Sequence, residues 1–128
     1  MSAFKTLAEF WYESEKWSLD TFGPYEVRGP VGPILHLKKE QKEAADQAWL
    51  LHTKDPAGSR ERLLEELVDC LFLVFDALRR ARFGLREVAD AAFRKLDKNR
   101  MRVWPDWRTV DPLAAIQHDR TADTEVTR

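Results

Sequence analysis

The chain has 128 residues, of which 44% are hydrophobic, and a formal net charge of −1. That length suits a single domain with a real core, and the apolar content excludes wholesale disorder. A charge so close to zero gives no electrostatic footprint for nucleic acid or for a membrane surface, so neither is expected as a partner.

Four helical segments follow in chain order. The first is expected from about Ala3 to Asp20, where Phe4, Leu7, Phe10, Trp11 and Trp17 recur at helical spacing and Ser2 can serve as N-cap. This opening segment carries acids and lacks an uninterrupted apolar stretch, so it does not read as a signal peptide. Residues 23–33, GPYEVRGPVGP, form a loop. The second helix is expected from about Ile34 to His52, with Ile34, Leu37, Ala44, Ala45 and Ala48 on one side. A break follows at Lys54–Gly58.

The third helix covers ERLLEELVDCLFLVFDALRR, residues 61–80, and should end at Gly84 as C-cap. Its longest mostly apolar run, Leu67–Leu78, holds two aspartates and is too short to cross a bilayer. Cys70, the single cysteine, lies in this run and reads as a small buried hydrophobe; no internal disulfide is possible. A soluble, reducing, cytoplasmic setting is the expectation. The fourth helix is expected from about Arg86 to Arg102, with Val88, Ala91, Ala92 and Leu96 on its apolar side and Pro105 beyond its end. The tail holds one short helical turn around Pro112–Gln117. No strand alternation or repeat is visible, and the short connections favour an all-α, up-and-down four-helix bundle. The expected organisation is one helical domain over residues 1–120 and a disordered tail over 121–128.

Two acidic stripes stand out. Glu66 and Asp69 are at i, i+3 on the third helix, with Glu65 beside them and Asp76 two turns on. Glu40 and Glu43 form a second i, i+3 pair on the second helix, on a side that also carries His36 and Gln47. Either stripe can be a solvated face. Yet like charges at this spacing repel, and facing pairs on two neighbouring helices would gather four carboxylates in one cleft. Such oxygens suit Mg²⁺ or Mn²⁺. The Glu-x-x-His pairs of a di-iron bundle and the His or Cys clusters of a zinc site are absent. Asp76 can take a metal role or pair with Lys95.

Donors for a phosphate lie on the fourth helix, where Lys95 and Asn99 are at i, i+4 and Arg102 is three further on. They read either as a solvated basic face or as a phosphate clamp. Trp17, Trp104 and Trp107 read as core or as flat surfaces for a base.

These residues carry a resemblance. The chain resembles the MazG-like, all-α nucleoside triphosphate pyrophosphohydrolases, whose signature is E-E-x-x-E followed by E-x-x-D. The pattern appears here as Lys39-Glu40-Gln41-Lys42-Glu43 and Glu66-Leu67-Val68-Asp69, with Lys39 in the place of the leading acid. Lys95 and Asn99 look like the family's phosphate-binding pair. The segments WSLDTFGP, HLKKEQKEA, EELVDCLFLVFDA and KLDKNRMRVWPDWR are similar to the short, phage-type dATP/dGTP diphosphohydrolase (MazZ-like) branch.

The resemblance implies hydrolysis of a purine (d)NTP, dGTP/GTP or dATP, to (d)NMP and pyrophosphate. Glu40, Glu43, Glu66 and Asp69 would be catalytic and would hold two or three Mg²⁺ or Mn²⁺ ions, which lower the pKa of a water attacking the α-phosphorus. Glu43 is a candidate proton acceptor. Lys95, Asn99 and Arg102 would bind phosphate, and Trp17, His36 and Trp104 would lie against the base. The resemblance also implies a homodimer or homotetramer, in host cytoplasm if phage-encoded. The same fold serves phosphoribosyl-ATP, dUTP and dCTP pyrophosphohydrolases, and a metal-free helical interaction module is the alternative of a different class.

Overall fold

The computed structural model describes residues 5–53 and 56–123. Its order is α1 (Leu7–Phe22), α2 (Val31–Thr53), α3 (Pro56–Arg80) and α4 (Leu85–Met101), with short 3-10 helices at Trp107–Thr109 and Arg120–Asp123. There is no strand among the described residues. Among the described residues the fold is all-α with four α-helices, as the hydrophobic periodicity indicated.

Two compact units divide the chain, Met1–Val88 and Ala89–Arg128. In the first, α3 packs along α2 and, over a smaller contact, against α1. The α1–α3 seam is aromatic. Phe10 meets Phe72 edge-on at 5.6 Å, Trp11 meets Phe75 at 5.1 Å, and Trp17 meets Phe72 at 5.2 Å. Trp11 is the large apolar side chain this seam buries, at 2% exposure.

Local chemistry sets the helix ends. Thr6 caps α1: its Oγ1 accepts from the Glu9 amide at 3.2 Å, and Glu9 Oε2 accepts from the Thr6 amide at 2.8 Å. The helix therefore starts four residues later than expected from Ala3, while the expected cap, Ser2, lies outside the described residues. Gly23 stops α1 at a φ of +98°, a backbone region nearly closed to side chains. Its amide donates to the Leu19 carbonyl at 3.1 Å.

The third helix starts at Pro56, so Gly58 lies inside it rather than in a break; Lys54 and Asp55 lie outside the described residues. Its end also differs from expectation. Arg82, not Gly84, takes the left-handed conformation, with φ 71°. The Arg82 amide donates to the Arg79 carbonyl at 2.9 Å and the Phe83 amide to the Leu78 carbonyl at 3.1 Å, the two bonds of a Schellman stop.

The loop between α1 and α2 is pinned to α1 and to the end of α3. Tyr25 donates its hydroxyl to Glu15 Oε2 at 2.5 Å, and its ring lies under the guanidinium groups of Arg80 and Arg82, at 5.6 and 5.0 Å. Burial first, then the bond to Glu15, pushes the Tyr25 phenol up to about 12.

The apolar arc of α3 is less covered than its sequence suggested. Leu64 is 63% exposed and Leu67 51%, with Val68 and Val74 also exposed. Cys70 is half-buried, and burial raises its thiol pKa.

In the second unit the expected turn around Pro112–Gln117 forms at Pro112–Leu113, where the Ala114 amide donates to the Asp111 carbonyl at 3.0 Å, and the two 3-10 segments flank it. Side-chain acids start both 3-10 segments. Asp106 Oδ1 accepts from the Arg108 amide at 3.0 Å, and Asp119 Oδ1 from the Thr121 amide at 3.0 Å. Residues 121–123 of the expected disordered tail thus belong to a 3-10 turn; the rest of it lies outside the described residues.

Candidate functional site

The i, i+3 pair of α2 and the leading acid of the α3 motif converge. Glu40, Glu43 and Glu66 each offer a carboxylate oxygen within 4.8 Å of the others. All three are half-buried. One oxygen, Glu66 Oε2, is buried without a hydrogen-bond partner. That is costly for a carboxylate unless a cation or proton answers it.

The surroundings split the three acids. Glu40 is held below the usual carboxylate range, first by a hydrogen bond with Glu43 and then by His36, whose Nε2 lies 3.0 Å from Glu40 Oε1. Glu66 is pushed above that range, first by burial and then by the charges of Glu43, Glu40 and Asp69. Lys39 stands 4.0 Å from Glu43 Oε1, so the residue in the place of the family's leading acid is a salt-bridge partner here. Asp69 is exposed and stands outside the converging trio, though its charge acts on Glu66 and Cys70.

Asp76 has a different place from its stripe-mates. It is 4% exposed, and its ion partners lie on its own helix: Arg80 Nε at 3.0 Å and Arg79 Nη2 at 3.6 Å. Ser18 Oγ donates to it at 2.5 Å. Arg79 crosses to α1, where Nη1 donates to the Trp11 carbonyl and to Ser14 Oγ, both at 3.1 Å. Asp76, Arg79, Arg80, Ser14 and Ser18 make one buried polar network between α1 and α3. The signal for it was present: Trp11, Ser14 and Ser18 share one face of α1, and two arginines close an otherwise apolar α3. Periodicity marks such residues without saying what they meet.

A cavity of about 440 Å³ opens beside the carboxylates, lined by the end of α1, the following loop, the start of α2 and the last turns of α3. His36 lines it and also touches Glu40, so the cavity and the acid cluster adjoin. Trp17 is half exposed and stacks edge-on against Phe22, a lining residue, at 5.2 Å.

The second unit holds the other expected ligand contacts. Asn99 Oδ1 accepts from Arg102 Nη1 at 3.0 Å, and the Asn99 carbonyl accepts from Trp104 Nε1 at 2.7 Å. Trp104 meets His118 edge-on at 5.6 Å. Lys95 is exposed on the same helix.

The model of the dATP/dGTP pyrophosphohydrolase family matches residues 11–124. The chain belongs to this family. It is thus a nucleotide diphosphatase, a hydrolase that acts on the phosphoric anhydride of a nucleotide. Neither a curated protein nor a solved structure matches it. Among the described residues no helix is long and apolar enough to cross a membrane.

Hydrolases of the MazG-like kind use divalent metal, and the donor set fits one. The three converging groups are all carboxylates, the ligand type that hard divalent cations take. The orphaned Glu66 oxygen is the atom such an ion would satisfy.

Proposed function

We propose that the protein hydrolyses a purine nucleoside triphosphate, dGTP/GTP or dATP, to the monophosphate and pyrophosphate. Water adds its oxygen to the α-phosphorus, and the bond to the bridging oxygen of the β-phosphate breaks. The observation that carries this reading is the meeting of Glu40, Glu43 and Glu66 around an unsatisfied buried oxygen, in a chain that the family model covers from residue 11 to 124.

Glu40, Glu43 and Glu66, with Asp69 at the rim, would hold two or three Mg²⁺ or Mn²⁺ ions. Bound there, the ions supply positive charge to the triphosphate and make a coordinated water more acidic. Glu43 is the proton acceptor in this scheme, a carboxylate with an oxygen within 4.8 Å of both Glu40 and Glu66. Lys95, Asn99 and Arg102 donate to phosphate oxygens and steady the leaving pyrophosphate. His36 orients Glu40 from the cavity side, and Trp17 and Trp104 offer flat apolar surface near the base.

The active form in this reading is a homodimer or homotetramer. The exposed Leu64, Leu67 and Val68 on α3 support it, because a contiguous apolar strip of this kind is normally covered in solution. Sedimentation would report the assembly.

The reaction is tested by incubating the protein with Mg²⁺ or Mn²⁺ and each of dGTP, GTP, dATP, dCTP and dTTP. Monophosphate and pyrophosphate from a purine nucleotide are expected. Inorganic phosphate with a diphosphate product, or no turnover with either metal, would overturn the proposal.

A further inference from the structure

The cavity next to the carboxylates has a chemistry of its own. At about 440 Å³ it falls in the range of small-molecule sites. Phe22, Val27, Pro33 and Leu73 make apolar walls. Leu73 lies seven residues beyond Glu66 on α3, roughly 10 Å along the helix, so one bound molecule can span both places. Three charged residues belong to the lining: Arg28, which is exposed and gives its carbonyl to Arg80, and the buried pair Asp76 and Arg80.

Arg80 has nothing left to give a ligand. Its Nε donates to Asp76 Oδ2 at 3.0 Å, its Nη1 to the carbonyls of Gly23 at 3.1 Å and Arg28 at 2.9 Å, and its Nη2 to the carbonyl of Ser18 at 3.2 Å and its Oγ at 2.8 Å. Those bonds use all of the N–H donors a guanidinium has. Asp76 is the opposite case. Oδ1 accepts from Ser18 and Oδ2 from Arg80, while Arg79 Nη2 at 3.6 Å is too far for a hydrogen bond. A carboxylate has two acceptor positions on each oxygen, so each oxygen keeps one. Asp76 therefore brings to the lining an acceptor pair held by Arg80 and Ser18.

We infer that this cavity is the nucleobase subsite and that Asp76 determines specificity by accepting from the N1–H and 2-amino groups of a 2-amino-6-oxopurine, the guanine type. This rests on the pyrophosphohydrolase reading for the phosphate end of the substrate. The two donors of a guanine edge stand side by side and match two carboxylate oxygens. Adenine presents the N1 lone pair there, and a lone pair facing a carboxylate repels. A site that spends a buried charge on two donors rejects a base lacking one of them, because the acceptor is then left unpaired.

The experiment uses the unaltered protein with Mn²⁺ and compares kcat/KM for dGTP, dITP, dATP and 7-deaza-dGTP. dITP differs from dGTP only by the missing 2-amino group; 7-deaza-dGTP keeps the whole donor edge. The expected result is a loss of roughly tenfold or more for dITP, a larger loss for dATP, and little change for 7-deaza-dGTP. Val27→Trp, which adds bulk at an exposed lining residue that is no hydrogen-bond partner of Asp76, should raise KM for dGTP and leave the thermal shift caused by Mn²⁺ alone unchanged. Equal turnover of dGTP, dITP and dATP, or an unaltered KM in Val27→Trp, overturns this inference and leaves the hydrolase reading standing. No turnover of any nucleotide overturns both.

Discussion

Ser18 on α1 and Asp76 on α3 share a buried hydrogen bond of 2.5 Å, the hydroxyl donating to Oδ1 across 58 positions of chain. The same hydroxyl accepts from Arg80 Nη2 at 2.8 Å. One small side chain thus satisfies both halves of a buried ion pair.

Ser18→Ala should destabilise the fold by about 1–3 kcal/mol, the cost of leaving buried polar atoms short of a partner. Arg80→Leu should cost more, about 3–5 kcal/mol, because Asp76 then loses its nearest cation inside the seam. Lys42→Ala removes an ion pair of the same chemical kind to Asp46 at 3.3 Å, but one with side chains 80% and 60% exposed, and should change stability by less than about 1 kcal/mol. Urea denaturation of the three variants decides the matter. A Ser18→Ala variant no weaker than Lys42→Ala would show that the network adds nothing.

Catalysis should separate from folding at the acid cluster. Glu66→Gln keeps the shape of the side chain and removes the charge, and turnover should fall by roughly a hundredfold or more, as for loss of a metal-site partner. Asp69→Asn tests a weaker expectation, since Asp69 stands outside the converging trio. It should lose turnover while its circular dichroism stays helical. If Asp69→Asn unfolds, the residue serves the fold instead.

The contrast between Glu66 and Asp76 shows what the sequence made legible. Both lie on one acidic stripe of α3, and helical period alone places Glu40, Glu43 and Glu66 where two packed helices bring them together. Period also puts Asp76 on that stripe, but its role depends on Ser18, Arg79 and Arg80, and partner choice across 58 positions is not a local property. Helix ends divide in the same way. Gly23 stops α1 as a loop rich in Gly and Pro implied. Arg82 stops α3 although Gly84 is the better residue for the conformation, because the Phe83 amide has already closed the helix on Leu78. In the tail, Asp106 and Asp119 start their own short turns, a competition that apolar spacing does not register.

Arg82 gives a prediction of its own. A non-glycine residue at φ 71° costs on the order of 1 kcal/mol. Its pair with Glu26 at 3.4 Å is between side chains 59% and 71% exposed, so it returns little. Arg82→Gly should therefore raise stability by about 0.5–1 kcal/mol, read as a higher melting temperature. A lower one would mean that the stacking of Arg82 on Tyr25, at 5.0 Å, outweighs the backbone cost.

The acid cluster should also respond to pH in a way that separates Glu66 from its neighbours. Glu66 is raised in the folded chain, so it favours the folded state below its unfolded pKa, and that contribution is lost as pH rises through the raised value. Glu40 is lowered, so its contribution is present above its unfolded pKa and is lost as pH falls through the depressed value. The two oppose each other in the metal-free protein, and the difference between the unaltered chain and Glu66→Gln isolates the first. The unaltered chain should lose stability relative to Glu66→Gln as pH rises from about 4 into the neutral range. A divalent ion competes with the proton for the same oxygens. Mn²⁺ should then raise the melting temperature strongly near neutral pH and weakly as pH falls through the raised Glu66 range, with the rise largely gone in Glu66→Gln. A Mn²⁺ effect that ignores pH and survives Glu66→Gln would place the ion elsewhere on the protein.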